Sequence, residues 1–261
     1  MNLTGLLSLP PNGLAIFLLV LVRASAIFMV APILGNASTP ARVKIGLAFL
    51  LAVIFTPFLM HQELAVDVTS PFPLAIAILQ ELAVGFLIGF LAQLLFVGFQ
   101  FAGQVVGLQM GFGMANVFDP SSQAQVSVMA QFYLFLGVLV FLLLDGHHWL
   151  VIALDRSFDT LPIGTFALDG RTMGIIIARS NELFWTALML MAPVLGVLAL
   201  AELAMGIVAR IMPQMNVFVA SFPVKIGLGI VTLMVSFPLM VSFMASSTEE
   251  TFGLILKFLS P

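Results

Sequence analysis

The side chains best suited to binding a metal ion lie in one polar segment near the middle of the chain. Residues 145–148 read Asp-Gly-His-His, and Asp155 and Asp159 follow closely. Imidazole and carboxylate groups are common zinc ligands, but this spacing matches no zinc motif, and adjacent histidines on a helix point apart. Trp149 is typical of the aromatic belt at a membrane–water interface. The segment is therefore interpreted as an interfacial loop, and neither a metal site nor a cofactor is predicted.

Other kinds of active site have no candidate residues. The sequence contains no H-E-x-x-H motif, no glycine-rich phosphate loop ending in lysine and no nucleophilic serine turn. Cysteine is absent, which excludes disulfides, iron–sulfur clusters and thiolate metal sites. A net charge of -3 with scattered basic residues excludes a nucleic-acid-binding patch. The chain is predicted not to be an enzyme and not to bind nucleic acid.

Five charged residues lie in or near strongly apolar runs: Arg23, Glu81, Glu202, Arg210 and Lys225. A charged side chain at the centre of a bilayer costs about 2.5–3.5 kcal/mol or more, so such residues usually face a protein interior or a water-filled path. Arg23 and Glu81 lie deepest and are expected to have buried partners, but the sequence does not show whether they pair. Lys225 could instead reach the membrane interface, and Arg210 could neutralise the last carbonyls of its helix.

The composition leaves one class of fold for the elements that carry these residues. Of the 261 residues, 61% are hydrophobic and 8% are charged, against about a quarter charged in soluble domains. The apolar runs cover residues 14–34, 43–60, 74–109, 126–144, 183–212 and 217–245. Because a membrane-spanning helix takes about 20 apolar residues, we predict an all-α polytopic membrane protein of about six hydrophobic helices or kinked helix pairs. It is expected to form a single domain over residues 1–261.

Three helix starts are predicted from prolines. Residues 39–40 (Thr-Pro) and 119–120 (Asp-Pro) each place a capping oxygen before a proline. Proline is favoured at the first helical position, where its missing N–H costs nothing. Residues 221–223 (Ser-Phe-Pro) carry a looser version of the same signal.

The third apolar run, residues 74–109, is too long for a simple span. A continuous helix of this length measures roughly 54 Å against about 30 Å of hydrocarbon, so it must tilt, break or leave the bilayer. At about 100° per residue, three amides fall within about 40° of one another: Gln93, Gln100 and Gln104. Four glycines occupy the adjoining arc: Gly85, Gly89, Gly103 and Gly107. This face is expected to contact protein or water, either between spans of the same chain or as an intersubunit or pore-lining surface.

The third run ends in a segment rich in glycine and methionine. Residues 107–120 read Gly-Leu-Gln-Met-Gly-Phe-Gly-Met-Ala-Asn-Val-Phe-Asp-Pro. Glycines in close succession weaken a helix, while methionine and phenylalanine keep the segment apolar. Since methionine is flexible and polarizable, such a loop could seal against variable surfaces. The alternative is an ordinary re-entrant turn packed between helices.

Several motifs are spread along the chain. The most specific comprises Gly206, Arg210, residues 213–218 (Pro-Gln-Met-Asn-Val-Phe) and residues 222–225 (Phe-Pro-Val-Lys). Supporting motifs are Arg23 with Pro32, residues 40–44, Glu81 with Gly85 and Gly89, residues 102–120, and residues 146–148 leading to 157–158. With these motifs the chain resembles, essentially from end to end, the FliR family of flagellar biosynthesis proteins, whose relatives serve injectisome type III secretion systems.

The resemblance implies an inner-membrane subunit of the flagellar export gate in the basal body. Such a subunit assembles with FliP-type and FliQ-type subunits into a helical pore complex for unfolded export substrates, and it contacts membrane lipid and the FlhB-type switch protein. The resemblance also implies a loop that plugs the closed pore, by position Met110, Gly111, Phe112, Gly113, Met114, Ala115 and Asn116. Subunit-contact or intramembrane polar roles are implied for Arg23, Glu81, Gln93, Gln100, Gln104, Arg210, Gln214, Asn216 and Lys225.

Two alternative functions remain open from the sequence. The chain could be the equivalent subunit of a virulence injectisome. Less well supported is a secondary transporter, which would use broken helices and paired intramembrane charges at a repeat interface. Its one support is a short internal echo, since residues 43–47 (Val-Lys-Ile-Gly-Leu) recur as residues 224–228.

Overall fold

The computed structural model describes residues 12–35, 39–60, 70–112, 127–167 and 170–258. These residues form helices and their connections, and no strand occurs among them. The helices are α1 (Gly13–Val30), α2 (Ala41–Leu59), α3 (Pro71–Met110), α4 (Val128–Leu143), α5 (Gly146–Thr160), α6 (Gly170–Ile211) and α7 (Val217–Phe258). The predicted all-α fold is confirmed.

Five of these described helices, α1, α2, α3, α6 and α7, are long and apolar enough to cross a membrane. The consecutive helices α4 and α5 would make a sixth span if the two are counted as one. The prediction of a polytopic membrane protein with about six helices or kinked pairs is therefore confirmed. α3 has 40 residues and α6 and α7 have 42 each. Each of the three measures about 60 Å, roughly twice the hydrocarbon thickness.

The predicted start of α2 is wrong by one residue. The helix begins at Ala41, and Pro40 lies outside it with φ -56° and ψ 134°. The hydroxyl of Thr39 does not cap the helix but donates to the carbonyl of Ile33 at 3.0 Å. The hydroxyl of Thr39 is therefore not available to a free amide in the first turn of α2.

The helix start predicted at residues 221–223 is also wrong, whereas the start of the last predicted apolar run, residue 217, coincides with the start of the helix. α7 begins at Val217, where the side-chain oxygen of Asn216 accepts a hydrogen bond from the amide of Val219 at 3.3 Å. An asparagine before the helix satisfies one of the free amides of its first turn, so no proline is needed there. Pro223 lies inside α7. The Asp-Pro signal at residues 119–120 lies outside the described residues.

The interpretation of residues 145–159 as an interfacial loop is wrong as well. α5 begins at Gly146 and ends at Thr160. Its buried apolar residues recur at helical spacing: Leu150, Ala153, Leu154 and Phe158. The segment is therefore an amphipathic helix whose polar residues obscured its apolar stripe in the sequence.

Two long helices extend beyond the predicted apolar runs. α6 begins at Gly170 rather than near residue 183, and α7 ends at Phe258 rather than near residue 245. Arg179 and Glu182 form an ion pair one turn apart in α6, an arrangement that supports a helix. In α7 the hydroxyl of Thr248 donates to the carbonyl of Met244 at 2.7 Å. Polar residues that ended the predicted runs are thus accommodated within helices.

By their internal contacts the described residues fall into two compact units. Unit 1 takes those within residues 1–93, 145–178 and 250–261, and unit 2 takes those within 94–144 and 179–249. In unit 1, α1 packs against α2, with the rings of Phe17 and Phe49 edge to face at 5.5 Å between centroids. In unit 2, Phe96 packs edge to face against Phe141 with centroids 5.4 Å apart.

Candidate functional site

Unit 1 contains a buried ion pair between α1 and α3. Nε of Arg23 lies 2.5 Å from Oε2 of Glu81, and neither side chain is exposed. An unpaired charge at such a position is costly, whereas opposite charges in hydrogen-bonding contact offset much of each other's loss of hydration. The pairing that the sequence left open is therefore present in the structure.

The remaining donors and acceptors of this pair are satisfied by the end of α5 and the segment after it. Nη1 of Arg23 donates to the carbonyl (2.9 Å) and hydroxyl (3.0 Å) oxygens of Ser157. Nη2 donates to the carbonyl of Leu161 at 3.0 Å. Oε1 of Glu81 accepts a hydrogen bond from the amide of Gly164 at 3.0 Å. The ion pair thus joins α1, α3 and the end of α5 to one another.

An aromatic ring completes the surroundings of the guanidinium group. Cζ of Arg23 lies 4.3 Å from the ring centroid of Phe158, within the range of a favourable cation–π contact. Sequence reasoning did not identify the hydrogen-bonding roles of Ser157, Leu161 and Gly164. Leu161 and Gly164 bind only through backbone atoms, which leave no side-chain signature in the sequence. The sequence feature that could have pointed to these partners is the Ser-Phe motif at residues 157–158, one of the motifs that carry the family resemblance.

Two glycines of α3 let α1 approach closely beside the ion pair. A Cβ built on Gly85 would overlap the carbonyl oxygen of Arg23 and lie 2.7 Å from Cβ of Ala26. A Cβ built on Gly89 would lie 2.9 Å from the carbonyl oxygen of Ile27. Backbone atoms of a packed helix cannot move aside separately, so the close spacing of α1 and α3 requires glycine at both positions.

Gly103 and Gly107, further along α3, pack in unit 2 against the start of α4. A Cβ built on Gly103 would lie 2.7 Å from Cα of Ala130, and one on Gly107 would lie 3.2 Å from Cβ of Met129. The structure therefore places all four predicted glycines against other parts of the same chain. The amides of the predicted face are half-buried: Gln93, Gln100 and Gln104.

Replacing Gly85 by alanine is expected to destabilise the protein by about 1–3 kcal/mol, because the added methyl group meets backbone atoms of α1. Gly46 in α2 is the matched control, since nothing lies within 4 Å of a Cβ placed there. Alanine at that position is expected to be neutral or stabilising, as alanine is favoured over glycine in helices by about 1 kcal/mol. Thermal unfolding of the solubilised protein measures both variants, and equal behaviour would contradict the packing role of Gly85.

A second ion pair joins α6 and α7 in unit 2. Nζ of Lys225 lies 2.5 Å from Oε1 of Glu202, and the two side chains are 18% and 45% exposed. In water such a partly exposed pair contributes at most about 1 kcal/mol. The other predicted polar residues of this region are exposed around the turn between the two helices: Arg210, Gln214 and Asn216.

The predicted plug loop begins where α3 ends. Met110 is the last residue of α3 and is fully buried, and Gly111 has a φ of 94°, which favours glycine. Phe112 is half-buried. The other predicted plug residues lie outside the described residues: Gly113, Met114, Ala115 and Asn116. The described chain resumes at Ser127, whose side chain lies against Gly107, so both described ends of the loop pack near the end of α3.

The polar residues at the start of α5 lie closer together than expected. The ring centroids of His147 and His148 are 4.2 Å apart, so the prediction that these histidines point apart is wrong. Asp145 has a left-handed backbone (φ 54°), which turns the chain so that its Oδ1 lies 3.5 Å from Nδ1 of His148. Possible ligand atoms of the three residues lie within 4.8 Å of one another, and all three are exposed. Three exposed side chains in one short turn are not sufficient to identify a metal site.

Comparison with known proteins identifies the family. A sequence profile described as "Bacterial export proteins, family 1" matches residues 14–251. The flagellar biosynthetic protein FliR of Escherichia coli (strain K12) is 35% identical over 240 residues, which cover 92% of this chain and 91% of the relative. The flagellar biosynthetic protein FliR of Bacillus subtilis (strain 168) is 37% identical over 223 residues, covering 84% and 85%. This chain belongs to the FliR family.

Membership of the FliR family confirms the resemblance inferred from the motifs. Together with the long apolar helices, it confirms the predicted assignment to flagellar biosynthesis and export as a membrane-embedded chain. A third FliR relative, from Pectobacterium carotovorum subsp. carotovorum, is 32% identical over 95% of this chain and 94% of its own length. The matched residues 14–251 span the positions of both ion pairs and the described parts of the loop.

Proposed function

We propose that this FliR-family chain is a subunit of the flagellar type III export gate in the bacterial inner membrane, within the flagellar basal body. With FliP-type and FliQ-type subunits it forms the pore through which unfolded flagellar proteins cross the membrane, and it contacts the FlhB-type switch protein. The observation that carries the proposal is the match of residues 14–251 to a family of bacterial export proteins. The chain forms one integral-membrane domain in this assembly and acts without catalysis.

The surfaces of α6 and α7 support a role in an assembly. Within their most apolar stretches only 28% and 17% of the residues are buried, against 67% in α3. A helix of about 60 Å fits within the hydrocarbon only at a tilt of about 60°, whereas transmembrane helices tilt by about 20° on average. Lipid therefore covers only part of this apolar surface. Helices of partner subunits are the natural cover for the rest.

Residues 110–116 act in this gate as a plug that unfolded substrate displaces. Three features support this role: the apolar composition of the segment, its closely spaced glycines and the buried side chain of Met110 at its base. Methionine and phenylalanine side chains can pack against changing surfaces, and glycines allow the backbone to move. A seal that opens repeatedly needs both properties.

The alternative of a secondary transporter loses its support from the internal echo. Residues 43–47 lie in the first turns of α2, whereas residues 224–228 lie within α7, after Pro223. The two copies are therefore not equivalent helix entrances, as an internal repeat would require. The relatives named above are flagellar proteins, which favours the flagellar export gate over an injectisome.

Affinity purification of the tagged chain from a mild-detergent membrane extract tests the proposal. The expected product is a stable large complex that contains two other small hydrophobic subunits, and an untagged strain processed in parallel is the control. Recovery of the chain alone, with saturable uptake of a small solute after reconstitution, would overturn the export-gate function in favour of a transporter.

A further inference from the structure

The buried ion pair of unit 1 lies far from the ends of the apolar helices that carry it. Helices α1 and α3 are both long and apolar enough to cross a membrane. Arg23 follows Gly13, the first residue of α1, by ten positions, and Glu81 follows Pro71, the first residue of α3, by ten positions. Both residues therefore lie about 15 Å from the start of their helix, against about 30 Å of hydrocarbon. In a membrane, the ion pair lies at the level of the hydrocarbon interior.

The end of α5 lies at the same level, because Ser157 accepts hydrogen bonds from the guanidinium group of Arg23. Three charged residues lie within two positions of Ser157 and are exposed: Asp155, Arg156 and Asp159. These three residues form the charged face of α5. A helix rises only about 3 Å over two residues, so the charged face is exposed at the level of the hydrocarbon interior.

Lipid is an unsuitable neighbour for this charged face. None of its three residues forms an ion pair within the described part of the chain. A charged side chain at this depth normally faces water or a protein interior, because hydrocarbon does not replace its hydration. A long arginine side chain can reach towards the membrane surface, but the short side chains of Asp155 and Asp159 cannot. The charged face therefore requires a polar environment.

The neighbouring helix α2 exposes an apolar surface at about the same level. The rings of Phe55 in α2 and Phe158 in α5 pack with centroids 6.1 Å apart, and Phe158 also lies 4.3 Å from Cζ of Arg23. From residue 49 to its end, α2 exposes only apolar side chains: Phe49, Leu50, Val53, Ile54, Pro57 and Phe58. Two adjacent helices of unit 1 thus expose different surfaces at one level, apolar on α2 and charged on α5.

We propose that the charged face of α5 borders a water-filled space at the level of the membrane interior, whereas the outer face of α2 lies in apolar surroundings. Unit 1 is then part of the wall between that space and the lipid. In the proposed export gate this space is the export path, and this last step rests on the proposed function. An unfolded chain carries unpaired backbone amides and carbonyls, so it must pass along a hydrated surface.

Cysteine labelling in the assembled gate tests the difference between the two faces. The chain contains no cysteine, so Asp155→Cys, Asp159→Cys and the apolar control Ile54→Cys each introduce a single thiol at an exposed position. A charged, water-soluble maleimide is applied to open membrane fragments, and labelling after denaturation gives the total thiol. Only the thiolate reacts, and apolar surroundings suppress its formation, so the two α5 positions are expected to react about tenfold faster than Ile54→Cys.

Three results would overturn the proposal. Equal labelling at all three positions would mean that α2 also faces water. No labelling at either α5 position would mean that the charged face is not hydrated. Labelling at these positions only after the complex is dissociated would mean that a partner subunit covers them. Thermal unfolding of each variant confirms that it is folded, since substitutions at exposed positions usually change stability by less than about 0.5 kcal/mol.

The assignment of the space to the export path has a separate test. Export of a flagellar protein into inverted membrane vesicles is measured before and after a bulky maleimide is attached to Asp155→Cys or Asp159→Cys. Attachment is expected to abolish most export, whereas the same treatment of Ile54→Cys or the cysteine-free parent leaves export unchanged. Labelling without loss of export would overturn the assignment to the path, and the hydrated face would stand. Failure of the chain to purify with other gate subunits would instead overturn the proposed function.

Discussion

Replacing Arg23 by methionine is expected to lower the stability of the protein by about 3–5 kcal/mol, because it leaves Glu81 as a buried charge without its partner. Methionine keeps much of the volume of the arginine, so the loss measures the ion pair and its hydrogen bonds and not a cavity. It also frees the carbonyl of Leu161, which the guanidinium group holds. Thermal unfolding of the detergent-solubilised chain and its steady-state amount in membranes are the measurements.

Two variants control this experiment. Arg42→Met makes the same change at an exposed position of α2 and is expected to alter stability by less than about 0.5 kcal/mol. Combining Arg23→Met with Glu81→Leu removes both charges and is expected to recover part of the loss, since buried ion pairs can often be replaced by apolar residues. If Arg23→Met were as stable as Arg42→Met, the ion pair would not hold unit 1 together.

Deletion of residues 111–114 is expected to make the assembled gate permanently permeable to small ions. The deletion removes both glycines and the apolar side chains between Met110 and Ala115, so the base of the loop can no longer reach across the pore. Uptake of a small ion by cells and the arrest of growth at raised external salt measure the leak. The expected change is large, because a plug is either present in the closed pore or absent.

A deletion of equal length is the control for general damage. Removing residues 64–67, which lie between α2 and α3 in the sequence, shortens the chain by the same amount outside the proposed plug and is expected to cause no leak. Assembly of both variants is checked by co-purification of the complex. A pore that assembles normally without residues 111–114 and leaks no more than the parent would contradict the plug function.

The class of the fold could be predicted from hydropathy, but several boundaries could not. Long apolar runs identified the membrane-spanning helices because lipid requires a continuous apolar surface. The same rule predicted an end of α7 that is too early, because it treats Thr248 as a polar residue that ends the run. In the structure the hydroxyl of Thr248 donates to the carbonyl of Met244 in the same helix. It also missed α5, because exposed charged residues separate the buried apolar residues of this helix along the sequence. Charged and polar residues are compatible with a helix whenever local partners satisfy them.

The charged residues of the candidate site could be predicted from the sequence, but their hydrogen-bond partners could not. The cost of a charge in lipid singled out Arg23 and Glu81. Their partners on the 161–167 segment are backbone groups, whose positions depend on how α5 ends. Gly229 in α7 is a different case, because a Cβ built there would lie 2.7 Å from Cε of Met110, whereas nothing lies within 4 Å of a Cβ on Gly227. The sequence does not distinguish these two glycines.

The order in which the chain is synthesised gives the buried arginine a further consequence. Glu81 is made 58 residues after Arg23, and Ser157 follows Arg23 by 134 residues. Until those partners emerge, α1 carries a guanidinium group whose cost in hydrocarbon is about 2.5–3.5 kcal/mol or more. We therefore expect α1 to leave the membrane-insertion machinery late, together with α3. A chain truncated before Glu81 is expected to be removed by membrane proteases as an unfinished product.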